Sequence, residues 1–135
     1  MDKNVNIDLS VKLGSMNFSN PVIAASGTFA YGIEFAPFVD LNKLGGFCTK
    51  GLSLNPKLGN RFPRMIETSS GMLNAIGLEN IGLEKFLNDK LPLLENFKAR
   101  LIVNFFGNNN VEYIEMASAL SDISSIDALE MNVSC

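Results

Sequence analysis

The chain has no histidine, which removes the commonest general base and metal ligand of enzymes. A serine–histidine triad is excluded within these residues, and so is a zinc site of cysteine and histidine; no metal is expected. Its two cysteines, Cys48 and Cys135, stand far apart among 135 residues. They make no disulfide framework, so a reducing compartment is the simpler reading. Basic charge is scarce as well: Lys and Arg number 11 against 14 Asp and Glu, a formal net charge of −3. No stretch is more basic than Lys98-Ala99-Arg100, which speaks against nucleic acid, because phosphate binding needs a concentrated positive field. No apolar run approaches the roughly 20 residues that cross a bilayer. The start, Met1-Asp2-Lys3-Asn4-Val5, lacks the cationic and apolar blocks of a secretory signal. These absences together indicate a soluble cytoplasmic protein. Dinucleotide motifs are missing too: there is no Gly-x-Gly-x-x-Gly, and Gly27 and Gly32 are followed by Ile33 and Glu34 where a P-loop requires Lys and Ser or Thr.

What is present reads as strands and helices in alternation. Val5, Ile7, Leu9 and Val11 alternate with polar residues, and Gly14-Ser15 offers a turn before Met16 and Phe18, which predicts a hairpin with one apolar face. Pro21-Val22-Ile23-Ala24-Ala25 reads as a strand buried on both faces. Residues Glu34 to Leu44 carry Pro37 in a first turn and end at Gly45-Gly46, the pattern of a short helix. A second strand follows at Gly46-Phe47-Cys48-Thr49-Lys50. Residues 51 to 80 keep no sustained period and read as a long functional loop. Leu83, Phe86, Leu87, Leu91, Leu94 and Phe97 form a helical stripe with a kink or a new first turn at Pro92. Leu101 to Phe106 is a third strand, and Asn109 with Glu112 resembles a capping box opening a helix with Ile114, Ala117 and Leu120 on one face. A fourth strand runs from Ala128 to Ser134. The expected fold class is α/β. Four such strands are half of the eight that close a (β/α)8 TIM barrel of roughly 250 residues, so residues 1–135 read as one partial domain: a hairpin, then the first half of a barrel ending after its fourth strand.

Polar residues cluster at the strand ends: Ser26 after the first, Lys50 after the second, Asn104 within the third, Asn132 and Cys135 at the fourth. In a parallel barrel those ends share one rim, the place of active sites in this architecture. Taken singly, Lys50 is an ordinary solvated charge, Cys48 an ordinary buried thiol and Cys135 a terminal residue. Asn104 is different. An amide inside Ile102-Val103-Asn104-Phe105-Phe106 must find partners or cost roughly 1 to 3 kcal/mol, so it needs a ligand or a backbone group.

Several segments in consistent order resemble the dihydroorotate dehydrogenases, FMN-dependent (β/α)8-barrel enzymes of pyrimidine synthesis. They are Asn20-Pro21, Ala25-Ser26-Gly27-Thr28-Phe29, Thr49-Lys50-Gly51, Gly59-Asn60-Arg61-Phe62-Pro63-Arg64, Gly71 through Asn80, Val103-Asn104 with Gly107, and Glu130-Met131-Asn132-Val133-Ser134-Cys135. The run Asn74-Ala75-Ile76-Gly77-Leu78 and the Cys at position 135 resemble the branch that passes electrons to NAD through a partner subunit. Glu79 departs from that branch, which usually has Gln there.

The resemblance implies FMN contacts from Ser26, Lys50, Gly51, Asn104 and Asn132. It implies dihydroorotate or orotate binding by Lys50, Asn132 and the residues Asn74, Ala75, Ile76, Gly77 and Leu78, with Cys135 as catalytic base. It also implies an electron-transfer subunit carrying FAD and an iron–sulfur cluster, and a homo-oligomer. These residue types suit the chemistry. A thiol can take a proton in a chain without His, an ammonium favours an anionic reduced flavin and can meet a substrate carboxylate, and Asn offers the donor and acceptor that a pyrimidinedione edge demands. Asn80, by contrast, reads as a turn stabiliser. Two other readings stay open: a related FMN oxidoreductase acting on reduced pyrimidines, and an inactive truncated half-barrel. The isolated 135 residues are expected to be inactive, to self-associate through unpaired strand edges and to hold FMN poorly.

Overall fold

In the computed structural model, which describes residues 7–134, Gly14 at φ +59 reverses the chain between β1 (Val11–Leu13) and β2 (Met16–Phe18). The two pair antiparallel, Val11 opposite Phe18. Val5 and Asn6 of the expected hairpin lie outside the described residues. The apolar face is not buried: Ile7, Leu9 and Leu13 are exposed, and Phe18 alone of this alternation is enclosed.

Four parallel strands follow as expected, three of them shorter and the third of the expected length but one residue earlier. They are β3 (Ile23–Ala24), β4 (Gly46–Cys48), β7 (Arg100–Phe105) and β8 (Ala128–Met131), adjacent in that order; β5 (Met65–Thr68) and β6 (Gly71–Asn74) form a separate hairpin between them. Register sets Ile23 beside Gly46, Cys48 beside Ile102, and Asn104 beside Glu130. Successive side chains on a strand point to opposite faces. One face therefore carries Phe47, Leu101, Val103 and Phe105, which pack with Phe86, Leu91, Leu94, Met116 and Leu120 from the helices into a single core. The other carries Cys48, Ile102, Asn104 and Glu130. No described helix covers that face, so β3 is not buried on both sides as its apolar run suggested; Val22 and Ile23 are exposed.

The helical stripe begins as α1 (Leu83–Lys85), widens into a π turn at Phe86–Lys90 and resumes as α2 (Leu91–Leu94). Pro92 explains the interruption, because it has no N–H to continue the ladder, and the new turn that starts there is the one its position predicts. In α3 (Asn110–Ser121), Asn109 Oδ1 accepts from the N–H groups of Val111 and Glu112 at 2.9 and 3.1 Å. Glu112 reaches back to the Asn108 N–H rather than to the Asn109 N–H, so the box closes one residue early. The buried stripe of α3 is Met116 and Leu120 with Ala117 packed beside them; Ile114 is exposed.

Two further expectations fail. Residues 34 to 44 are not one helix but two 3-10 turns, Ile33–Phe35 and Leu41–Lys43. Asp40 is the reason: its side chain accepts from the Asn42 N–H at 3.1 Å and starts a second turn, leaving Phe38 and Val39 exposed. The stretch 51–80 is not all loop. It contains β5 and β6, paired through a two-residue turn with Thr68 opposite Gly71. Both strands are exposed along their whole length, so they never acquire the one-sided alternation by which strands are recognised.

Candidate functional site

A cavity of about 410 Å³ opens at the carboxyl ends of the parallel strands, within the size range of small-molecule sites. Ser26 enters it two residues after β3 and Lys50 two residues after β4; Asn104 comes from within β7 and Asn132 directly after β8. Gly51 and the run Asn74 to Leu78 complete the wall. Every candidate named above except Cys135, which lies outside the described residues, therefore lines one space, with Lys50 and Asn132 in the same cavity. A second hollow of about 490 Å³ lies on the β5–β6 hairpin against Met65, Ile66 and Leu73, but it gathers few polar groups.

The far wall is built from the motif glycines. Asn60 donates its backbone N–H to Ile76 O at 2.9 Å and its Nδ2 to Ala75 O at 2.8 Å. Gly77, at φ +77, lies so near Asn60 that a Cβ would sit 2.7 Å from its side chain, and Leu78 adopts φ +58, costly for a side chain of its size. The segment 59–60 thus clamps the segment 75–78. Behind it, Glu79 pairs with Arg64, whose guanidinium also reaches the carbonyls of Leu58 and Asn60. Asn80 is buried and stabilises the turn, accepting from the N–H groups of Ser53 and Gly82.

The strand side is polar and connected. The Asn104 backbone N–H donates to Thr49 Oγ1 at 3.2 Å, and its Nδ2 donates to Glu130 Oε1 at 2.5 Å. Its amide donor is therefore taken by a carboxylate, a partner that the sequence reading did not name, while the residue still lines the cavity. Cys48 Sγ donates to the same oxygen at 3.3 Å. Burial first, and then Glu130, push the Cys48 thiol up to about 12, which makes it the inert buried thiol its neighbours suggested. Burial works to raise Glu130, yet hydrogen bonds from Asn104, Ser26 and Cys48 outweigh it and hold the carboxyl below its ordinary value. Sequence reasoning gave Glu130 no role. The signal was available: a charged residue between Leu129 and Met131 in a strand deserves the question asked of Asn104. Asn132 is tied at its backbone, its N–H donating to Phe105 O at 2.9 Å and its carbonyl accepting from Tyr113 Oη at 2.5 Å. No carboxylate of the described residues pairs with Lys50.

A flat, hydrogen-bonding ring system fits these residues. At Gly51 a Cβ would stand 2.7 Å from Asn104 Oδ1 and 3.4 Å from the Phe106 ring, so only glycine leaves that wall bare. Gly27, at φ +77, has nothing within 4 Å of a Cβ position and exposes naked backbone beside Ser26. The side chains supply a cation, a hydroxyl and several amides, the set a flavin with its ring carbonyls and ring N–H would engage.

A family model described as dihydroorotate dehydrogenase matches residues 8–135. The chain belongs to this family. It is 59% identical over 127 residues to the catalytic subunit of dihydroorotate dehydrogenase B (NAD(+)) from Thermodesulfovibrio yellowstonii, covering 94% of this chain and 42% of that protein. It is 53% identical over 131 residues to the same subunit from Solidesulfovibrio magneticus, covering 97% of this chain and 43% of that protein. The chain therefore spans less than half the length of these curated relatives. Among solved structures, a ligand-free dihydroorotate dehydrogenase from Eimeria tenella superposes with a TM-score of 0.73 at 21% identity, over 94% of this chain and 38% of that one. The Eimeria tenella enzyme in complex with ferulenol gives 0.68 over 94% and 36%. This likeness is one of fold, and with the parallel sheet it fits part of a TIM barrel. Among the described residues no helix is long and apolar enough to cross a membrane.

Proposed function

We propose that this chain supplies the first half of a TIM barrel, through its fourth strand, and the ring-facing wall of a dihydroorotate dehydrogenase that oxidises dihydroorotate to orotate with FMN. The observation that carries the reading is the convergence of Ser26, Lys50, Gly51, Asn74, Asn104 and Asn132 on one cavity at the strand ends, in a chain so similar to catalytic subunits of that name. Residues beyond this chain would close the barrel.

The oxidation removes a proton from one ring carbon and a hydride from its neighbour, and FMN supplies the hydride acceptor. Cys135 takes the proton; two residues separate it from Asn132, which stands at the cavity. Its ordinary thiol pKa of roughly 8.5 means that its surroundings must assist it or that the rate rises toward alkaline pH. Lys50, which no carboxylate of the described residues pairs with, would offset negative charge on the flavin and meet the substrate carboxylate. Asn74 and Asn132 read the pyrimidinedione edge, while Ala75 to Leu78, pinned by Asn60, hold the substrate against the flavin and restrict water. An electron-transfer subunit carrying FAD and an iron–sulfur cluster would pass the electrons on to NAD, in a cytoplasmic homo-oligomer.

The test is anaerobic addition of dihydroorotate to the full-length, FMN-loaded protein. The flavin absorbance is expected to bleach, and Cys135→Ser to slow bleaching at least about 100-fold while orotate binding stays within a few-fold. Bleaching by reduced uracil-type compounds but not by dihydroorotate would move the assignment to another pyrimidine oxidoreductase. Absence of bleaching by either, with FMN bound, would leave an inactive chain.

A further inference from the structure

One charged group on the sheet face away from the helical core is unused by the chemistry above. Glu130 stands on β8 opposite Asn104 of β7, and its Oε1 gathers hydrogen bonds from Asn104 Nδ2 and Cys48 Sγ. Ser26 hydrogen-bonds to the same carboxylate. An ionised carboxylate only accepts hydrogen bonds, so it can engage only the NH2 end of a primary amide. Asn104 is thereby denied the half-turn that would exchange its nitrogen and oxygen. Its Oδ1 is left beside Gly51 at the cavity wall, and no described residue donates to it. The cavity therefore presents a fixed acceptor there, and a fixed acceptor chooses among rings by whether they bring an N–H to it.

We propose that Glu130 is a positioning residue that locks Asn104 with its carbonyl toward the cavity, so that this point of the wall selects a flavin through its imide N–H. The inference rests on the FMN reading above. Dihydroorotate and orotate also carry an imide N–H, but Asn104 lies with Ser26 and Gly51 on the strand side, whereas the segment 74–78 assigned to the substrate forms the opposite wall.

The experiment compares FMN with 3-methyl-FMN, in which a methyl group replaces the imide hydrogen, by flavin-fluorescence titration of the full-length protein stripped of its flavin. The wild type is expected to prefer FMN by about tenfold or more, one good hydrogen bond and an avoided clash. In Glu130→Ala the amide is free to turn, so FMN weakens about tenfold and the preference falls toward unity. Glu130→Gln, whose carbonyl still accepts from Asn104 and Cys48, restores the preference to within about threefold of wild type. Asn104→Ala abolishes it, and adding Glu130→Ala to that variant changes nothing more. Should Glu130→Ala not fold, Glu130→Leu, of similar volume, replaces it. The proposal is overturned if the wild type binds both flavins equally, if removal of Glu130 leaves the preference intact, or if Glu130→Gln loses it as fully as alanine does. It is also overturned if Glu130→Ala instead erases a preference for orotate over 3-methylorotate, which would assign the acceptor to the substrate. A wild type that takes up neither flavin would refute the FMN reading itself, a result distinct from all of these.

Discussion

Asn80→Ala measures what holds the substrate-side wall in place. The side chain belongs to a residue only 6% exposed and is hydrogen-bonded at both ends of its amide. Oδ1 accepts from the backbone N–H groups of Ser53 at 3.2 Å and Gly82 at 2.9 Å, while Nδ2 donates to Leu78 O and to Ser53 Oγ, each at 2.9 Å. Its backbone pairs in both directions with Lys57, and those bonds survive substitution. Alanine strands two buried N–H groups, each costing about 1 to 3 kcal/mol when no water reaches it. Because the two share one acceptor, we expect a loss of about 3 kcal/mol in total. Asn80→Asp still accepts from both N–H groups but cannot donate to Leu78 O, and it sets a carboxylate near that carbonyl; a smaller loss of about 1 to 2 kcal/mol is expected. The assay is urea unfolding of the full-length protein without flavin, the stability change being taken from the midpoint shift at a common slope. If Asn80 were a ligand group instead, alanine would spare stability and affect binding alone. A stability loss under about 0.5 kcal/mol for alanine, or an aspartate as damaging as alanine, refutes the hydrogen-bond reasoning.

Two further outcomes follow from the group around Glu130. With its thiol pushed up to about 12, Cys48 is about one part in ten thousand thiolate at pH 8. Iodoacetamide at that pH should leave the Cys48 peptide unmodified in the native protein and label it in urea, as read by mass spectrometry, and native labelling at the rate of a free thiol contradicts the assignment. Glu130 is held below its ordinary value of 4.5, so its contribution to stability is fully present above that pH and is lost as pH falls through the depressed folded value. The thermal midpoint of wild type relative to Glu130→Gln should hold steady from about pH 7 to 5 and narrow as pH falls below 4.5. A difference unchanged at pH 3 removes the carboxylate from the account.

The parallel strands were legible because such strands run almost purely apolar, and the break after each run marked the rim where Ser26, Lys50 and Asn132 emerge. Asn104 announced itself the same way, a polar residue among Leu101, Val103, Phe105 and Phe106. The β5–β6 hairpin was invisible for the opposite reason. Both its strands are exposed, so nothing one-sided selects its apolar positions, and its pairing rests on backbone bonds and a two-residue turn that leave little trace in side-chain pattern. The failed helix at 34–44 turned on one carboxylate: Asp40 satisfies the Asn42 N–H, and that local bond outcompetes continuation of the helix.

Glu130 marks a harder limit. Its importance depends on which residue it faces, and the pair Asn104 and Glu130 is set by strand register across a connection that contains α3. Cys48 joins the same oxygen from β4, on the far side of β7. A motif read along the chain assigns each polar residue to a ligand by default, because ligand and neighbour look alike in one dimension. The folded sheet separates the two roles: Asn104 spends its donor on Glu130 and keeps its acceptor for the cavity. The more general consequence is that a polar residue inside a buried strand calls for inspection of the residues beside it in the sheet before a ligand is invoked. In this chain that inspection turns one amide from a group able to give or accept into one with a fixed direction.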